Sequence, residues 1–258
     1  MNLKKIRYRL VAIILITSVI LAPAGNIYGA EKKNLPPLIQ TTTLEDDYRA
    51  LALLELAVTP LLSEEDFQRA FENVLCSSVR IQTREHYGSG NIYKMLEDEI
   101  IIVTNRHVLQ DWDEDSCVTF FNGAAGIGEI LGISEEADVG FISIPTAGFP
   151  YSELLTFRNI RISKEKAERF FCIDMANYFE TPVIEYGEIL SFSIYLEDFG
   201  MEMMYGQGSA APGMSGSGLF DGFGNYLGML TGATQQGEIA AVSGETVNRE
   251  YEKIRGRS

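Results

Sequence analysis

The run Ala211-Pro212-Gly213-Met214-Ser215-Gly216-Ser217-Gly218-Leu219-Phe220 sets one serine among glycines near the C-terminal end of the chain. A serine bracketed by glycines is a poor way to build a core and a good way to expose a hydroxyl. Gly213 and Gly216 lack a Cβ, so the backbone there can turn tightly and approach a bound group closely. Successive N–H groups in such a turn can converge and stabilise developing negative charge. The same residues also suit a plain hairpin turn. The choice depends on what stands upstream.

A serine hydroxyl is a weak nucleophile near neutral pH and needs an adjacent base, usually a histidine oriented by a carboxylate. The chain has two histidines. His107 follows the apolar run Glu99-Ile100-Ile101-Ile102-Val103-Thr104, where a strand end can deliver a side chain to a cleft; a purely structural role is the plainer alternative. His86, in Arg84-Glu85-His86-Tyr87, reads as a surface or loop residue. Among the acids after His107, Asp138 stands out because it begins the apolar run Ala137-Asp138-Val139-Gly140-Phe141-Ile142, and a carboxylate buried there needs a partner. Asp111, Asp113 and Asp115 read as a solvated loop.

The order His107, Asp138, Ser215, each in its local setting, resembles the trypsin-like serine peptidases of chymotrypsin fold, most closely their HtrA-like bacterial branch. Gly88-Ser89-Gly90 matches that branch's turn before the histidine strand, and Thr104-Asn105-Arg106-His107-Val108 matches its Thr-x-x-His-Val. Asp138-Val139-Gly140 stands where the family usually has Asp-hydrophobic-Ala. Pro212 to Leu219, then Leu227-Gly228-Met229, match Pro-Gly-x-Ser-Gly-x-x-Leu and the strand after it. The resemblance covers residues 75–255. It implies an all-β fold of two six-stranded antiparallel β-barrels with the site between them. It also implies that Ser215 attacks the scissile carbonyl, His107 accepts and returns the proton, and Asp138 fixes the imidazole tautomer. The N–H groups of Gly213 and Ser215 would form the oxyanion hole. No cofactor and no metal are implied.

Three departures narrow the expectation. Met214 stands where digestive relatives carry the aspartate that pairs with a freshly cut N-terminus, so activation by that ion pair is not available. Ser209, six residues before Ser215, falls by counting at the base of the primary specificity pocket; it is not acidic, which argues against cleavage after Lys or Arg. No histidine after Asp138 exists to bind a substrate carboxylate, so a small or medium apolar side chain is the default substrate. PDZ domains, usual in HtrA-like proteins, have no room after residue 258 and are not expected. Chain order also excludes other serine hydrolases: no histidine follows Ser215, and Gly-x-Ser-x-Gly is missing because position 217 is serine.

The rest of the chain frames this site. With 46% hydrophobic and 22% charged residues there is ample material for a core. Lys4, Lys5, Arg7 and Arg9 precede an apolar run over 10–24. Residues 1–30 therefore read as a signal peptide or an uncleaved membrane anchor, with the bulk of the protein exported. Their loss removes four basic and no acidic residues and takes the net charge from −15 to −19. Such a charge speaks against nucleic acid or anionic membrane as partner and leaves a protein or peptide substrate. Residues 31–74 read as a linker followed by helices over 44–58 and from Ser63 to about 74. They could serve as a pro-segment, pack on the domain or bind a partner. Short strands then fill barrel 1 (about 75–150) and barrel 2 (about 165–242), and Ser243 caps a final helix over 243–255. Cys76, Cys117 and Cys172 read first as three small buried apolar residues; if one bridge forms, Cys76 with Cys117 is the preferred pair.

Overall fold

The computed structural model describes residues 64–177 and 183–256. The signal or anchor at 1–30, the linker, the helix expected over 44–58 and the Ser63 cap lie outside the described residues. The expected second helix is α1 (Glu64–Leu75). It ends where the hydroxyls of Ser77 and Ser78 both donate to Val74 O at 2.8 Å, taking up a carbonyl that the helix leaves unpaired. No helix among the described residues is long and apolar enough to cross a membrane.

Seven strands form the first sheet: β1 (Ser78–Gln82), β2 (Tyr87–Met95), β3 (Glu99–Thr104), β4 (Cys117–Phe120), β5 (Ala125–Gly126), β6 (Glu129–Ile133) and β7 (Gly140–Pro145). Their order is β5-β4-β1-β2-β3-β7-β6, antiparallel throughout. The two edges, β5 and β6, are consecutive in the chain with only Ile127-Gly128 between them. The sheet therefore curls back on itself, and the seventh strand arises because one stretch of chain is broken in two. Strand β3 reads as an unbroken apolar run because both its faces are buried. Ile100 and Ile102 point into the sheet's own core with Val79, Ile92, Phe120 and Ile142. Ile101 and Val103 point the other way, towards Tyr93, Phe141 and Tyr251. Each fully buried isoleucine contributes about 1.5–3 kcal/mol relative to exposure.

The second sheet is a closed barrel in the order β10-β13-β12-β11-β8-β9. Its strands are β8 (Arg169–Ile173), β9 (Ile184–Leu196), β10 (Met201–Gly208), β11 (Gly218–Phe220), β12 (Tyr226–Ala233) and β13 (Glu238–Ser243). Between the sheets a short helix α2 (Tyr151–Leu154) is followed by Phe157, which stacks on Phe120 with ring centroids 4.3 Å apart. Helix α3 (Gly244–Arg255) starts at Ser243, whose hydroxyl accepts from Thr246 N–H at 3.2 Å. It follows the second barrel's last strand yet packs on the first sheet, where the Tyr251 ring lies 4.6 Å from that of Tyr93.

One expectation is corrected. Gly88-Ser89-Gly90 is not a turn: it lies inside β2. A Cβ at Gly88 would come within 2.5 Å of Val108 Cγ1, and one at Gly90 within 2.8 Å of Val103 O, so these glycines serve close approach. All three cysteines are free, Cys172 buried and Cys76 and Cys117 half-buried, so the pair named for a possible bridge is not joined. Cys117 lies opposite Gln82 across β1 and β4. Cys76 lies six residues back along the chain, on the order of 15–20 Å away at strand rise, beyond the reach of about 7 Å that a disulfide allows.

Candidate active site

Strand β3 ends at Thr104, and the chain turns through Asn105 and Arg106 into a single 3-10 turn, His107–Leu109. Val108 and Leu109 are buried in the first sheet's core and anchor this turn, leaving the His107 side chain 41% exposed. Asp138 lies not in a strand but two residues before β7, in a turn that leaves its side chain 14% exposed. Its Oδ2 meets His107 Nδ1 at 2.6 Å, and its Oδ1 accepts the His107 backbone N–H at 3.0 Å. One carboxylate thus fixes both the ring and the backbone that carries it. With Nδ1 committed, Nε2 is the ring nitrogen left for chemistry.

Asn105 closes the arrangement from behind. Its Nδ2 donates to Asp138 O at 3.0 Å and to Thr231 Oγ1, on β12 of the second barrel, at 3.1 Å. The residue is fully buried, and its Oδ1 has no hydrogen-bond partner among the described residues. The glycine that replaces the family's alanine two residues after Asp138 has a local reason. A Cβ at Gly140 would lie 2.6 Å from Leu109 Cδ1, so Leu109 already fills that space.

The serine turn belongs to the second barrel and is stapled to the first sheet. Met214 is buried among Leu219, Leu230 and Ile239, which fixes the turn and leaves Ser215 half-buried. Gly213 (φ +92°) and Gly216 (φ +90°) take the left-handed backbone that favours glycine. At Gly216 space forbids a side chain as well: a Cβ would lie 1.9 Å from Ser89 O and 2.5 Å from Thr104 Oγ1. Ser89 makes the staple. Its N–H donates to Ser215 O at 2.8 Å, its hydroxyl to Gly213 O at 2.9 Å, and its own carbonyl accepts from Thr104 Oγ1 at 2.7 Å. Thr104 is three residues from His107, so a short chain of contacts links the two candidate residues.

Within the turn, Met214 N–H donates to Ala211 O, Gly216 N–H to Leu230 O and Ser217 N–H to Met214 O. The N–H groups of Gly213 and Ser215 have no hydrogen-bond acceptor among the described residues. They are the two donors expected to hold an oxyanion. No hydrogen bond joins the Ser215 hydroxyl to the His107 ring among the described residues. Ser209 lies in the exposed segment directly after β10. No group of three or more His, Cys, Asp or Glu among the described residues could hold a metal ion.

Residues 88–229 match the family profile of the trypsin-like peptidase domain. The chain belongs to the trypsin-like peptidase family. The matched span, more than half of the chain, contains His107, Asp138 and Ser215. A serine protease HtrA-like protein of Staphylococcus aureus (strain USA300) is 31% identical over 72 residues, which make up 28% of this chain and 9% of that one. The match therefore spans under a tenth of the relative's length. The crystal structure of Deg5 superposes with a TM-score of 0.60 at 22% identity, covering 76% of this chain and 98% of the other. The HtrA-type protease AlgW with tripeptide gives 0.62 at 16% identity, covering 74% and 64%. These likenesses show the shared fold. A sequence relative and a fold neighbour of this trypsin-like peptidase are thus both of HtrA type, the branch that its motifs resemble.

Reading residues one at a time misses two parts of the site. Ser89 was visible only as part of a glycine turn. Asn105 had one signal, its place between the buried strand and the histidine. Asp111 lies in the solvated loop expected of it, with its side chain 49% exposed, and meets His86 Nδ1 at 3.0 Å.

Proposed function

We propose that the protein is an exported serine endopeptidase that hydrolyses peptide bonds through an acyl-enzyme intermediate. The observation that carries this reading is the doubly bonded His107–Asp138 pair, tied through Thr104 and Ser89 to a serine turn with two N–H groups that have no acceptor among the described residues. Ser215 Oγ attacks the substrate carbonyl while His107 Nε2 takes its proton. Asp138 holds the imidazolium that results. The carbonyl oxygen becomes an oxyanion and accepts from Gly213 N–H and Ser215 N–H, each such donor being worth about 3 kcal/mol in related chemistry. Collapse breaks the C–N bond, and His107 returns the proton to the leaving amine. Water, deprotonated by His107, then attacks the acyl ester; the ester C–O bond breaks, His107 returns the proton to Ser215 Oγ, and the acid product leaves.

The substrate is a protein or peptide. Ser209 carries no charge, which favours a small or medium apolar side chain before the cleaved bond. Export follows from residues 1–30, and any membrane attachment would run through residues 10–24. A second reading, a catalytically silent peptide-binding relative, is favoured by one observation: the missing hydrogen bond from the Ser215 hydroxyl to His107. In substrate-free enzymes this bond is often long and tightens only on binding. A fluorophosphonate probe separates the two readings. Covalent labelling of the folded wild type at Ser215, abolished by Ser215→Ala, is the expected result; a folded wild type that never reacts sinks the enzyme.

A further inference from the structure

The turn that presents Asp138 is closed within itself and pinned from outside at one hydroxyl. Ser134 N–H donates to Val139 O, and Val139 N–H to Ala137 O, both at 2.9 Å. Ser134 Oγ accepts from the N–H groups of Glu136 (3.2 Å) and Ala137 (3.0 Å). Its two lone pairs are then occupied, and its single proton goes to Glu250 Oε2 at 2.8 Å. On the side of the histidine, Arg106 Nη1 donates to the carbonyls of Ser134 and Glu135 at 3.3 and 3.4 Å.

Glu250 lies on α3, 116 residues downstream, and is 3% exposed. A carboxylate at that depth needs partners. Its Oε1 accepts from Arg249 Nε at 3.1 Å and Lys253 Nζ at 3.0 Å, both on its own helix. Burial pushes its carboxyl up, but hydrogen bonds from Lys253, Ser134 and Arg249 together outweigh burial and hold it below the usual carboxylate range. Among the described residues, Ser134 is its one hydrogen-bond partner outside α3. The helix meets the same segment twice more. Lys253 Nζ reaches Glu136 Oε2 at 2.6 Å, and Ile254 packs where a Cβ on Gly132 would stand, 2.5 Å from its Cγ2. A buried charge is a costly way to hold a helix that apolar packing already holds. What the charge adds is direction, given to one turn.

We propose that Glu250 is a positioning residue: acting through Ser134, it fixes the 134–139 turn so that Asp138 meets both the ring and the backbone N–H of His107. This rests on the peptidase reading of His107, Asp138 and Ser215. The test uses the purified full chain, with kcat and KM on a peptide substrate. It also uses the low-field proton resonance of His107 Nδ1–H, assigned by its loss in His107→Ala. Glu250→Gln keeps an acceptor for Ser134 and leaves kcat within about threefold and the resonance in place. Glu250→Ala and Ser134→Ala each lower kcat by about tenfold or more at nearly constant KM, and each shifts or broadens the resonance. The double variant is no worse than the worse single one, because the two residues act as one unit. Ser134→Ala, which leaves no buried carboxylate changed, keeps the test open should Glu250→Ala fail to fold.

Wild-type kcat together with an unchanged resonance in both alanine variants overturns the proposal. A wild type that reacts with no probe takes down the peptidase reading instead. The resonance then still decides between a positioning Glu250, which moves it, and a merely structural one, which does not.

Discussion

The molecule contains two histidine–aspartate pairs of the same chemistry in opposite settings. His107 meets Asp138 at 2.6 Å, with side chains 41% and 14% exposed; His86 meets Asp111 at 3.0 Å, with side chains 67% and 49% exposed. The first pair has its backbone tied down on every side: Asp138 takes the His107 N–H, Asn105 takes the Asp138 carbonyl, and Ser134 closes the turn. The second joins two loops, with Arg84 and Asp113 forming a parallel bridge at 2.7 Å. An imidazole beside a carboxylate is therefore no signature of catalysis. Anchorage is what separates the two, since it keeps a nitrogen aimed while bonds change.

The harshest way to break the comparison is to remove the proposed base and the proposed nucleophile. His107→Ala and Ser215→Ala should each lower kcat/KM by about 10⁴-fold or more with the fold intact by circular dichroism. Substantial hydrolysis by purified Ser215→Ala would refute the assignment. Asp138→Asn should cost about 10⁴-fold, because an amide in that place favours the wrong imidazole tautomer. Asp111→Asn should leave turnover where it was, and equal losses in the two variants would erase the distinction drawn here.

A milder variant asks whether anchorage matters apart from the pair itself. Asn105→Ala leaves both partners of the His107–Asp138 bond in place but removes one part-buried hydrogen bond to Asp138 and one buried hydrogen bond to Thr231 of the second barrel. Stability should fall by about 1–3 kcal/mol in urea unfolding, and kcat by about tenfold as Asp138 loses its alignment. Loss of stability with kcat unchanged would make Asn105 a strut and nothing more.

These anchors explain how far the sequence could be read. Runs such as Val79–Ile81 and Glu99–Thr104 announced their strands, since alternation or continuous apolarity follows from one or two buried faces. The order of His107, Asp138 and Ser215 was legible because each sits beside such a run. What stayed hidden depends on partners distant in sequence. The glycines around Ser89 looked like a turn and are instead the thin part of a strand against which Val108 and Gly216 pack. Strand β13 (Glu238–Ser243) is weakly marked in the sequence because its Ala240 and Ala241 are weak strand formers, held by β12 on one side and β10 on the other. Asp138 was expected in a strand and sits in a turn, because Ser134 and a helix 116 residues away build that turn.

A buried carboxylate behind the first pair should also answer to acid. Glu250, behind the Asp138 turn, has its folded-state value held below the usual range despite its burial, by hydrogen bonds from Lys253, Ser134 and Arg249. A depressed value means that its contribution is present above the unfolded carboxylate range and is lost as pH falls through the folded value. Unfolding free energy measured against pH should therefore drop on that acid side, and Glu250→Gln should flatten the drop. An unchanged slope would show that the buried carboxylate is not linked to folding.

The smallest effect is expected at His86. Its partner Asp111 is half exposed, and the bridge between them spans two loops whose charges water and salt screen. An exposed pair of this kind contributes about 0–1 kcal/mol. His86→Ala should therefore change stability by no more than that and leave kcat/KM within about twofold. The position is still a fair trial, because it lies close to the site along the chain. Tyr87 follows it directly, and Tyr87 O stands 3.7 Å from where a Cβ on Gly213 would be. A loss at His86 approaching that at His107 would mean that the two loops, and not the anchored turn, hold the serine in register. Only then would the second pair belong to the site.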